Sequence, residues 1–231
     1  MKTALDIIRR FEGRVLHTYD DADPHTKRIL PGMPVKGTLS IGYGHTRNVR
    51  AGQTCTELEA ELWLAEDLAE TSRVRQWRDV PAGYQLAALE SLAYNIPAAF
   101  GRSTGLRHAL DSGSYGDVPA EIQRWNRVTV KLPDGTKKKR VEPGLTKRRA
   151  IEAALFELEH SISRMKHGEP SSLQTCLWLA GHDPGPIDGF RGPQTRAAKK
   201  AFMLQTAPGA LTHSSALQLL AAQLRADWGL M

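Results

Sequence analysis

Two acidic stretches and a hydroxyl within the first forty residues have the right chemistry for hydrolysis. Glu12 precedes Gly13, the pair Asp20-Asp21 follows a short polar stretch, and Ser40 lies further along the chain. A carboxylic acid that donates a proton, a second carboxylate and a hydroxyl that orients water together form a hydrolytic site. The sequence therefore predicts such a site with Glu12 as the acid, and it leaves open which aspartate faces Glu12.

The elements around these residues would bring them together. A helix is predicted before Glu12, because apolar residues recur there at helical spacing: Ala4, Leu5, Ile8 and Phe11. Gly13 is a helix stop signal, so Glu12 falls at the C-terminal end of the helix. The helix dipole and partial burial both favour the protonated acid at that position. Ser40 is predicted to open a strand that ends at Gly42-Tyr43-Gly44.

The ordered combination of these residues carries a family resemblance. The residues concerned are Glu12-Gly13, Leu16, Tyr19, Asp21 and the run Ser40-Ile41-Gly42-Tyr43-Gly44-His45-Thr46. This pattern resembles the phage-type lysozymes of glycoside hydrolase family 24, which cut the glycan strands of peptidoglycan. The resemblance implies that Glu12 protonates the leaving oxygen of the β-1,4 bond between N-acetylmuramic acid and N-acetylglucosamine. Asp21 and Ser40 would then hold a water on the opposite face, an inverting arrangement that needs carboxyl groups roughly 6.5–9.5 Å apart.

Within its first forty-six residues the chain departs from the family pattern in two places. The threonine of the pattern is Ser40 here, which keeps the hydroxyl and lacks the methyl group that restricts a threonine side chain. The segment 22–39 is longer than in compact family members and rich in proline and glycine, so we expect an extended hairpin or a flap over the cleft. Asp20 remains an alternative to Asp21 as the second carboxylate.

Helices are predicted through the next hundred residues. Thr56 and Glu59 form a capping box that begins a helix, and its core face is predicted to hold Leu58, Leu62, Ala65, Leu68 and Ala69. Further helices are predicted from Leu86 to Asn95, after Ser103 as the capping residue, near Pro119 and from Pro143 onward.

This region extends the lysozyme resemblance. The matching residues are Ala93-Tyr94-Asn95, Phe100, Ser103-Thr104, Trp125 and Gly144-Leu145-x-x-Arg148-Arg149-x-x-Glu152. The resemblance implies substrate contacts from five residues: Tyr43, His45, Trp125, Arg148 and Arg149. Either arginine would pair with Glu12 or line the cleft.

A basic hairpin is predicted between the last two of these helices. Pro133-Asp134-Gly135 is a strong turn signal, and Lys137-Lys138-Lys139-Arg140 follows it. Such a run either is simply solvated or contacts an anionic wall or phosphate.

The last part of the chain predicts a separate small domain of three helices. Residues 165–170 resemble a linker, and the following pattern resembles the type 1 peptidoglycan-binding domain. The matching residues are Leu173-Gln174, Gly181, Asp188-Gly189-x-x-Gly192-x-x-Thr195, Ala198 and Phe202. The resemblance implies that Asp188, Gly189, Gly192, Thr195 and Phe202 belong to a wall-binding domain over residues 166–231. Residues 1–165 then form the catalytic domain.

Composition limits the partners. The net charge is +6 and the isoelectric point about 9.4, which favours a polyanion such as an anionic cell wall or outer-membrane surface, or no polyanionic partner at all. Cys55 and Cys176 are the two cysteines, and neither lies in a metal-binding pattern. We expect no metal, no organic cofactor, no sequence-specific nucleic-acid binding, no transmembrane span and a monomer. The N-terminus lacks the apolar region of a signal peptide, so we expect accumulation in the host cytoplasm and holin-type release to the wall.

The predicted fold is mainly α: an α+β lysozyme-like domain with a small β-hairpin lobe, followed by the three-helix domain. The predicted function is that of a modular phage endolysin with muramidase activity. Two alternatives stay open, a lytic transglycosylase that cuts the same bond without water and a non-catalytic wall-binding protein.

Overall fold

The computed structural model describes residues 2–23, 28–71, 83–206 and 212–230. The chain forms two compact units: an N-terminal unit, Ala4–Arg73, and a helical unit, Met1–Thr3 with Val74–Met231. The described residues are mainly α-helical with two small two-stranded sheets, as the sequence predicted. The predicted boundary between residues 165 and 166 falls inside the helical unit and stays a prediction.

The N-terminal unit combines two helices with one hairpin. Its elements are α1 (Ala4–Glu12), β1 (Val15–Asp20), β2 (Leu39–Gly42) and α2 (Glu57–Thr71). Helix α1 buries Ala4, Ile7 and Ile8 and ends where Gly13 takes φ +68°, a backbone conformation that favours glycine. The strands are antiparallel, and Tyr19 lies opposite Ser40.

The connection between β1 and β2 is long and irregular in its described part. Residues 28–38 contain no helix or strand, and Met33 N donates to Leu30 O in a single turn. Ile29 is buried and is fixed to β1 by a hydrogen bond from its N to Thr18 O, 2.9 Å long. The hairpin connection is therefore extended, whereas its predicted role as a flap stays a prediction.

Helix α2 begins as predicted and buries a different face. The capping box is present, because Glu59 N donates to Thr56 Oγ1 and Thr56 N donates to Glu59 Oε2. The predicted core face is wrong at four of its five positions: Leu58 is 69% exposed, Leu62 is 54% exposed, and Ala65 and Ala69 are exposed as well. The buried stripe instead comprises Ala60, Leu64 and Leu68. The predicted end of this helix before Pro81 lies outside the described residues.

The helical unit contains most of the secondary structure. Its elements are α3 (Gly83–Asn95), a 3₁₀ helix (Pro97–Phe100), α4 (Gly105–Asp111), α5 (Val118–Gln123), β3 (Arg127–Lys131), β4 (Lys137–Val141), α6 (Pro143–Phe156), α7 (Leu158–Lys166), α8 (Pro170–Leu179), α9 (Pro193–Thr206) and α10 (His213–Trp228). Helix α6 packs against α3, α5 and α8, so it occupies the centre of the unit. It buries nearly every residue from Arg148 to Phe156.

Local signals set several boundaries in this unit. Proline occupies the first turn of α6, where its missing N–H is not needed. Helix α4 is capped by Thr104, whose side chain accepts from Arg107 N, and not by the predicted Ser103. The predicted basic hairpin is present as β3–β4, and Asp134 stabilises its turn by accepting hydrogen bonds from the N and Oγ1 of Thr136.

The C-terminal helices pack onto the rest of the helical unit. Helix α8 is buried from Ser172 to Leu179 and contacts α6, α7 and α10. Helix α9 buries Thr195, Ala198 and Phe202, three residues of the pattern that resembles a peptidoglycan-binding domain. The predicted linker 165–170 is a three-residue connection, 167–169, between α7 and α8.

In the described part of the chain, no helix is both long and apolar enough to cross a membrane. Both cysteines are free thiols. Cys176 is buried in α8, and burial raises the pKa of its thiol to about 12.

Candidate active site

Glu12 is the last residue of α1, as the sequence predicted. Its side chain is partly buried, and the glycine that follows turns the chain towards β1. The last carbonyl groups of a helix carry the negative end of its dipole. Glu12 therefore lies beside the negative end of the α1 dipole.

The carboxylate of Asp20 anchors the connection between β1 and β2 through hydrogen bonds. Its residue is 2% exposed, and its carboxylate accepts three backbone hydrogen bonds: from Lys36 N at 2.6 Å, Gly37 N at 2.9 Å and Ala22 N at 3.0 Å. These donors, Lys36 N first, hold the pKa of Asp20 below its ordinary value. Asp20 thus acts as a loop anchor, which argues against it as the second catalytic carboxylate.

Asp21 lies beside this anchor and faces solvent. Its Oδ1 accepts from Thr38 N at 2.6 Å, and its own N donates to Thr38 O at 3.1 Å. A Cβ at Gly37 would lie 2.2 Å from Asp21 Oδ1, so this close approach requires glycine. Asp21 is therefore both accessible and fixed in position.

Tyr19 lies on β1, two residues before Asp21. It lies opposite Ser40 across the hairpin, and the two side chains are hydrogen-bonded. Burial raises the pKa of Tyr19, the bond to Ser40 opposes that shift, and the negative charges of Glu12 and Asp21 raise the pKa further. Ser40 thus lies opposite Tyr19, Asp21 follows two residues later, and the charge of Glu12 acts on the same phenol.

Two buried side chains, Tyr43 and His45, fix the turn after β2 through hydrogen bonds. Tyr43 is 6% exposed, and its hydroxyl donates to Glu61 Oε1 at 2.7 Å. His45 is equally buried, with Nδ1 2.9 Å from Asp67 Oδ2 and Nε2 3.0 Å from Arg47 O. These contacts fix the position of the turn, and the predicted substrate contacts of Tyr43 and His45 stay a prediction.

Sequence reasoning missed the acidic partners on α2. Glu61 accepts from Tyr43 and also pairs with Arg9 of α1 at 2.6 Å. Burial alone raises the pKa of Glu61, yet the hydrogen bonds from Arg9 and Tyr43 bring it below its ordinary value. Trp63 stacks on the ring of His45 with centroids 5.0 Å apart. Had the buried face of α2 been predicted at Ala60, Leu64 and Leu68, Glu61 and Trp63 would have been expected to lie next to the turn after β2.

Arg148 and Arg149 form a buried ionic cluster in the helical unit. They are 4% and 1% exposed, and both pair with Glu152, which is fully buried. Ser91 Oγ donates to Glu152 Oε1 at 2.7 Å, and Arg149 Nη2 donates to Asn95 Oδ1 at 3.0 Å. Burial raises the pKa of Glu152, while the two guanidinium groups oppose that shift. These contacts tie α6 to α3 and give both arginines a structural role, whereas their predicted contact with substrate stays a prediction.

Trp125 lies just after α5 and is half-buried. It lines an open groove of about 770 Å³ at the base of the β3–β4 hairpin. Its predicted contact with substrate stays a prediction.

Several of the predicted wall-binding residues form a hydrogen-bond network around Gln174, which is 1% exposed. Its Nε2 lies within hydrogen-bonding distance of Asp188 Oδ1 and Thr195 Oγ1, and its Oε1 accepts from Gly189 N. Gly192 N donates to Phe190 O, and Phe202 packs in the core, 1% exposed. The pattern therefore shapes a loop, and the tip of that loop presents Phe190, which is 74% exposed.

Metal-binding side chains do not cluster in the described residues: no group of three or more His, Cys, Asp or Glu residues could hold an ion there.

Comparison with known proteins identifies the family. The sequence profile of the phage lysozyme family matches residues 9–152. This chain belongs to the phage lysozyme family. It is thus a lysozyme-type glycoside hydrolase, and the matched range includes Glu12, Asp21 and Ser40.

Individual relatives agree with this assignment. An endolysin of Acyrthosiphon pisum secondary endosymbiont phage 1 is 35% identical over 156 residues, which cover 66% of this lysozyme and 94% of that protein. An endolysin of Bacillus phage PZA is 32% identical over 158 residues, covering 67% of this lysozyme and 54% of that protein. The structure of an endolysin from Escherichia coli O157:H7 phage FAHEc1 matches with a TM-score of 0.54 at 29% identity, covering 68% of this chain and 91% of that one.

Proposed function

We propose that this lysozyme is an endolysin that hydrolyses the β-1,4 bond between N-acetylmuramic acid and N-acetylglucosamine of peptidoglycan. Glu12 protonates the leaving glycosidic oxygen as general acid. Asp21 and Ser40 hold the attacking water on the opposite face of the sugar. The observation that carries this proposal is the β1–β2 register, which places Ser40 opposite Tyr19 and leaves Asp21 exposed at the end of the same hairpin.

Hydrogen bonding supports Asp21 over its neighbour. Asp20 uses both carboxylate oxygens to accept backbone N–H groups, whereas Asp21 is exposed beside Ser40's strand. A carboxylate that binds water must be reachable by it, and Asp21 meets that requirement. With carboxyl groups on opposite faces of the sugar, the product is the inverted anomer.

We propose further that residues 166–231 hold the enzyme on the wall. The hydrogen-bond network around Gln174 supports this role, because it fixes a loop that carries an exposed aromatic ring, Phe190. Tethering on an insoluble polymer raises the effective concentration of substrate at the active site. The enzyme acts as a monomer, and a holin-type protein gives it access to the wall from the host cytoplasm.

The test is the chemistry of the products. Purified peptidoglycan is incubated with the wild type, with Glu12→Gln and with Glu66→Gln, a control that removes an exposed glutamate from α2. Mass spectrometry of the soluble fragments is expected to show hydrated, reducing N-acetylmuramic acid ends. Loss of the general acid is expected to slow release by about 10²–10⁴-fold, whereas the control keeps full activity.

The alternatives give different outcomes. Anhydro ends would identify a lytic transglycosylase and remove the water-holding role of Asp21 and Ser40. No fragments from the wild type, with the protein bound to the wall, would identify a non-catalytic binding protein. Unchanged release by Glu12→Gln would show that another residue is the acid.

A further inference from the structure

The two faces of the β3–β4 hairpin differ in their surroundings. Arg127 pairs with Val141, Thr129 with Lys139 and Lys131 with Lys137 across the strands. Residues directly opposite one another share a face of the hairpin, and side chains two positions apart on a strand share it too. One face therefore carries four cations, Arg127, Lys131, Lys137 and Lys139, and the other carries Lys138 and Arg140. The first is named the groove face, because Arg127 and Lys139 line the groove.

The groove at the base of this face has a mixed lining. It holds about 770 Å³ and opens between α4, α5 and the hairpin. Trp125 offers a half-buried indole, and Gln123, Asn126 and Thr104 offer amide and hydroxyl groups. An aromatic surface with adjacent amides suits a sugar ring, whose faces are apolar and whose edges carry hydroxyls.

The charges on the groove face have no internal partners in the part of the chain that the structure describes. No acidic side chain there forms an ion pair with Arg127, Lys131, Lys137 or Lys139. The carboxylate in the groove, Glu121, is already neutralised by Arg124 at 2.7 Å. On the opposite face, Arg140 pairs with Glu142 at 3.3 Å. The unpaired positive charge is thus concentrated on the side that adjoins Trp125.

We propose that the groove and the groove face bind an acidic glycan, a sugar polymer that carries phosphate or carboxylate groups. A sugar ring rests on Trp125, and successive acidic groups meet the cations along the hairpin. Cations two residues apart on a strand are separated by about 6.6–6.8 Å, a spacing that follows an extended polymer of repeating acidic units.

Other polyanions fit less well. Single-stranded nucleic acid is held by several aromatic side chains that stack successive bases, and Trp125 is the one aromatic residue that lines this groove. A lipid surface is favoured by an apolar face beside the cations, and Val141 is the one large apolar residue on the groove face. Binding is measured on the intact chain without hydrolysis, so its failure leaves the proposed muramidase activity untouched.

The test compares two double variants with the same change in net charge. Arg127→Gln with Lys139→Gln removes two cations of the groove face, and Lys138→Gln with Arg140→Gln removes two from the opposite face. Binding of labelled oligogalacturonate and of glucosylated polyglycerol phosphate is measured by fluorescence anisotropy at low salt. The groove-face pair is expected to weaken binding by about tenfold and the opposite pair by about twofold or less, as for exposed charges with and without a ligand contact.

Gln123→Ala and Trp125→Leu report on the sugar contact without changing charge. Both are expected to weaken glycan binding, and the exposed Gln123 can be replaced without disturbing the fold. Binding of one acidic glycan over the other identifies the acidic group. Equal losses in the two double variants, equally tight binding of neutral dextran, or tighter binding of single-stranded DNA or phosphatidylglycerol vesicles would each overturn the proposal.

Discussion

Asp20 and Asp21 are adjacent in sequence and have different surroundings. Asp20 is enclosed by the N–H groups of the returning chain at Lys36 and Gly37, so its charge is used to close a loop. Asp21 points to solvent and accepts from Thr38 N. Hydrogen-bond donors, and not distance along the chain, decide which carboxylate is available for chemistry.

Replacement of each aspartate by asparagine is expected to separate these roles. Asp21→Asn should lower kcat on peptidoglycan by about 10²–10⁴-fold, because the neutral amide is a poor base for water, and leave the melting temperature unchanged. Asp20→Asn should lower the melting temperature, because its amide N–H₂ would face a backbone N–H donor. Turnover and calorimetric melting of the same preparations measure both effects.

The pH dependence of stability provides the control. The pKa of Asp20 is lowered in the folded state, so its stabilisation is complete above its ordinary pKa of 3.8 and disappears as the pH falls through the lower, folded value. The gap in melting temperature between the wild type and Asp20→Asn is therefore expected at neutral pH and should close in strong acid. A gap that persists at low pH, or a stable but inactive Asp20→Asn, would contradict these roles.

The sequence located the candidate catalytic groups and not their supports. Glu12, Asp21 and Ser40 could be predicted because the family pattern and the helix-end signals are local. Asp20 anchors its loop through N–H groups that lie sixteen and seventeen residues further along the chain. Tyr43 and His45 are buried because they pack and hydrogen-bond against α2. Such contacts follow from tertiary packing, which spacing along the chain does not encode.

At the scale of elements, helix ends were predicted better than helix faces. The capping box of Thr56 and the turn at Asp134 are made by neighbours in sequence, so the pattern sufficed. Helix α2 has apolar residues on two sides, and periodicity alone selected the side of Leu58 and Leu62. The side that carries Leu64 is the buried one, because α2 packs against β2.

Two leucines of α2 test this assignment with the same substitution. Leu64→Ala is expected to lower the free energy of unfolding by about 2–5 kcal/mol, because Leu64 is 1% exposed and its removal leaves a cavity. Leu62→Ala, at a 54% exposed position, is expected to change it by less than about 0.5 kcal/mol. Urea denaturation measures both values. An equal decrease in the free energy of unfolding for both variants would show that Leu62 also belongs to the core.

At the scale of the whole molecule, the linker signal at residues 165–170 has a second physical meaning. Gly168 and Pro170 mark the end of one helix and the first turn of the next, and a tight interhelical connection uses the same residues as a linker. In the structure α8 packs against α6 and α7, and Arg225 of α10 pairs with Glu159 of α7 at 2.7 Å. Local signals cannot distinguish these cases, because the difference lies in what α8 contacts.

This packing determines how wall binding must be tested. Removal of residues 168–231 would expose the faces of α6 and α7 that α8 covers, so a loss of lysis would mix lost binding with lost stability. A substitution at an exposed position avoids that problem. Phe190, at the tip of the loop fixed by Gln174, is 74% exposed, and Leu204 on α9 is a matched apolar control at 61%.

Phe190→Ala is expected to weaken sedimentation with insoluble peptidoglycan by about tenfold, a loss typical of one aromatic contact of roughly 1–1.5 kcal/mol. Cleavage of short soluble glycans should stay at the wild-type rate, because tethering helps only on an insoluble polymer. Leu204→Ala should match the wild type in both assays. If Phe190→Ala sediments normally, the loop does not hold the wall. If both variants lose equally, general surface hydrophobicity and not this ring retains the enzyme. If cleavage of soluble glycans falls as well, the ring acts on catalysis and the tether model is wrong.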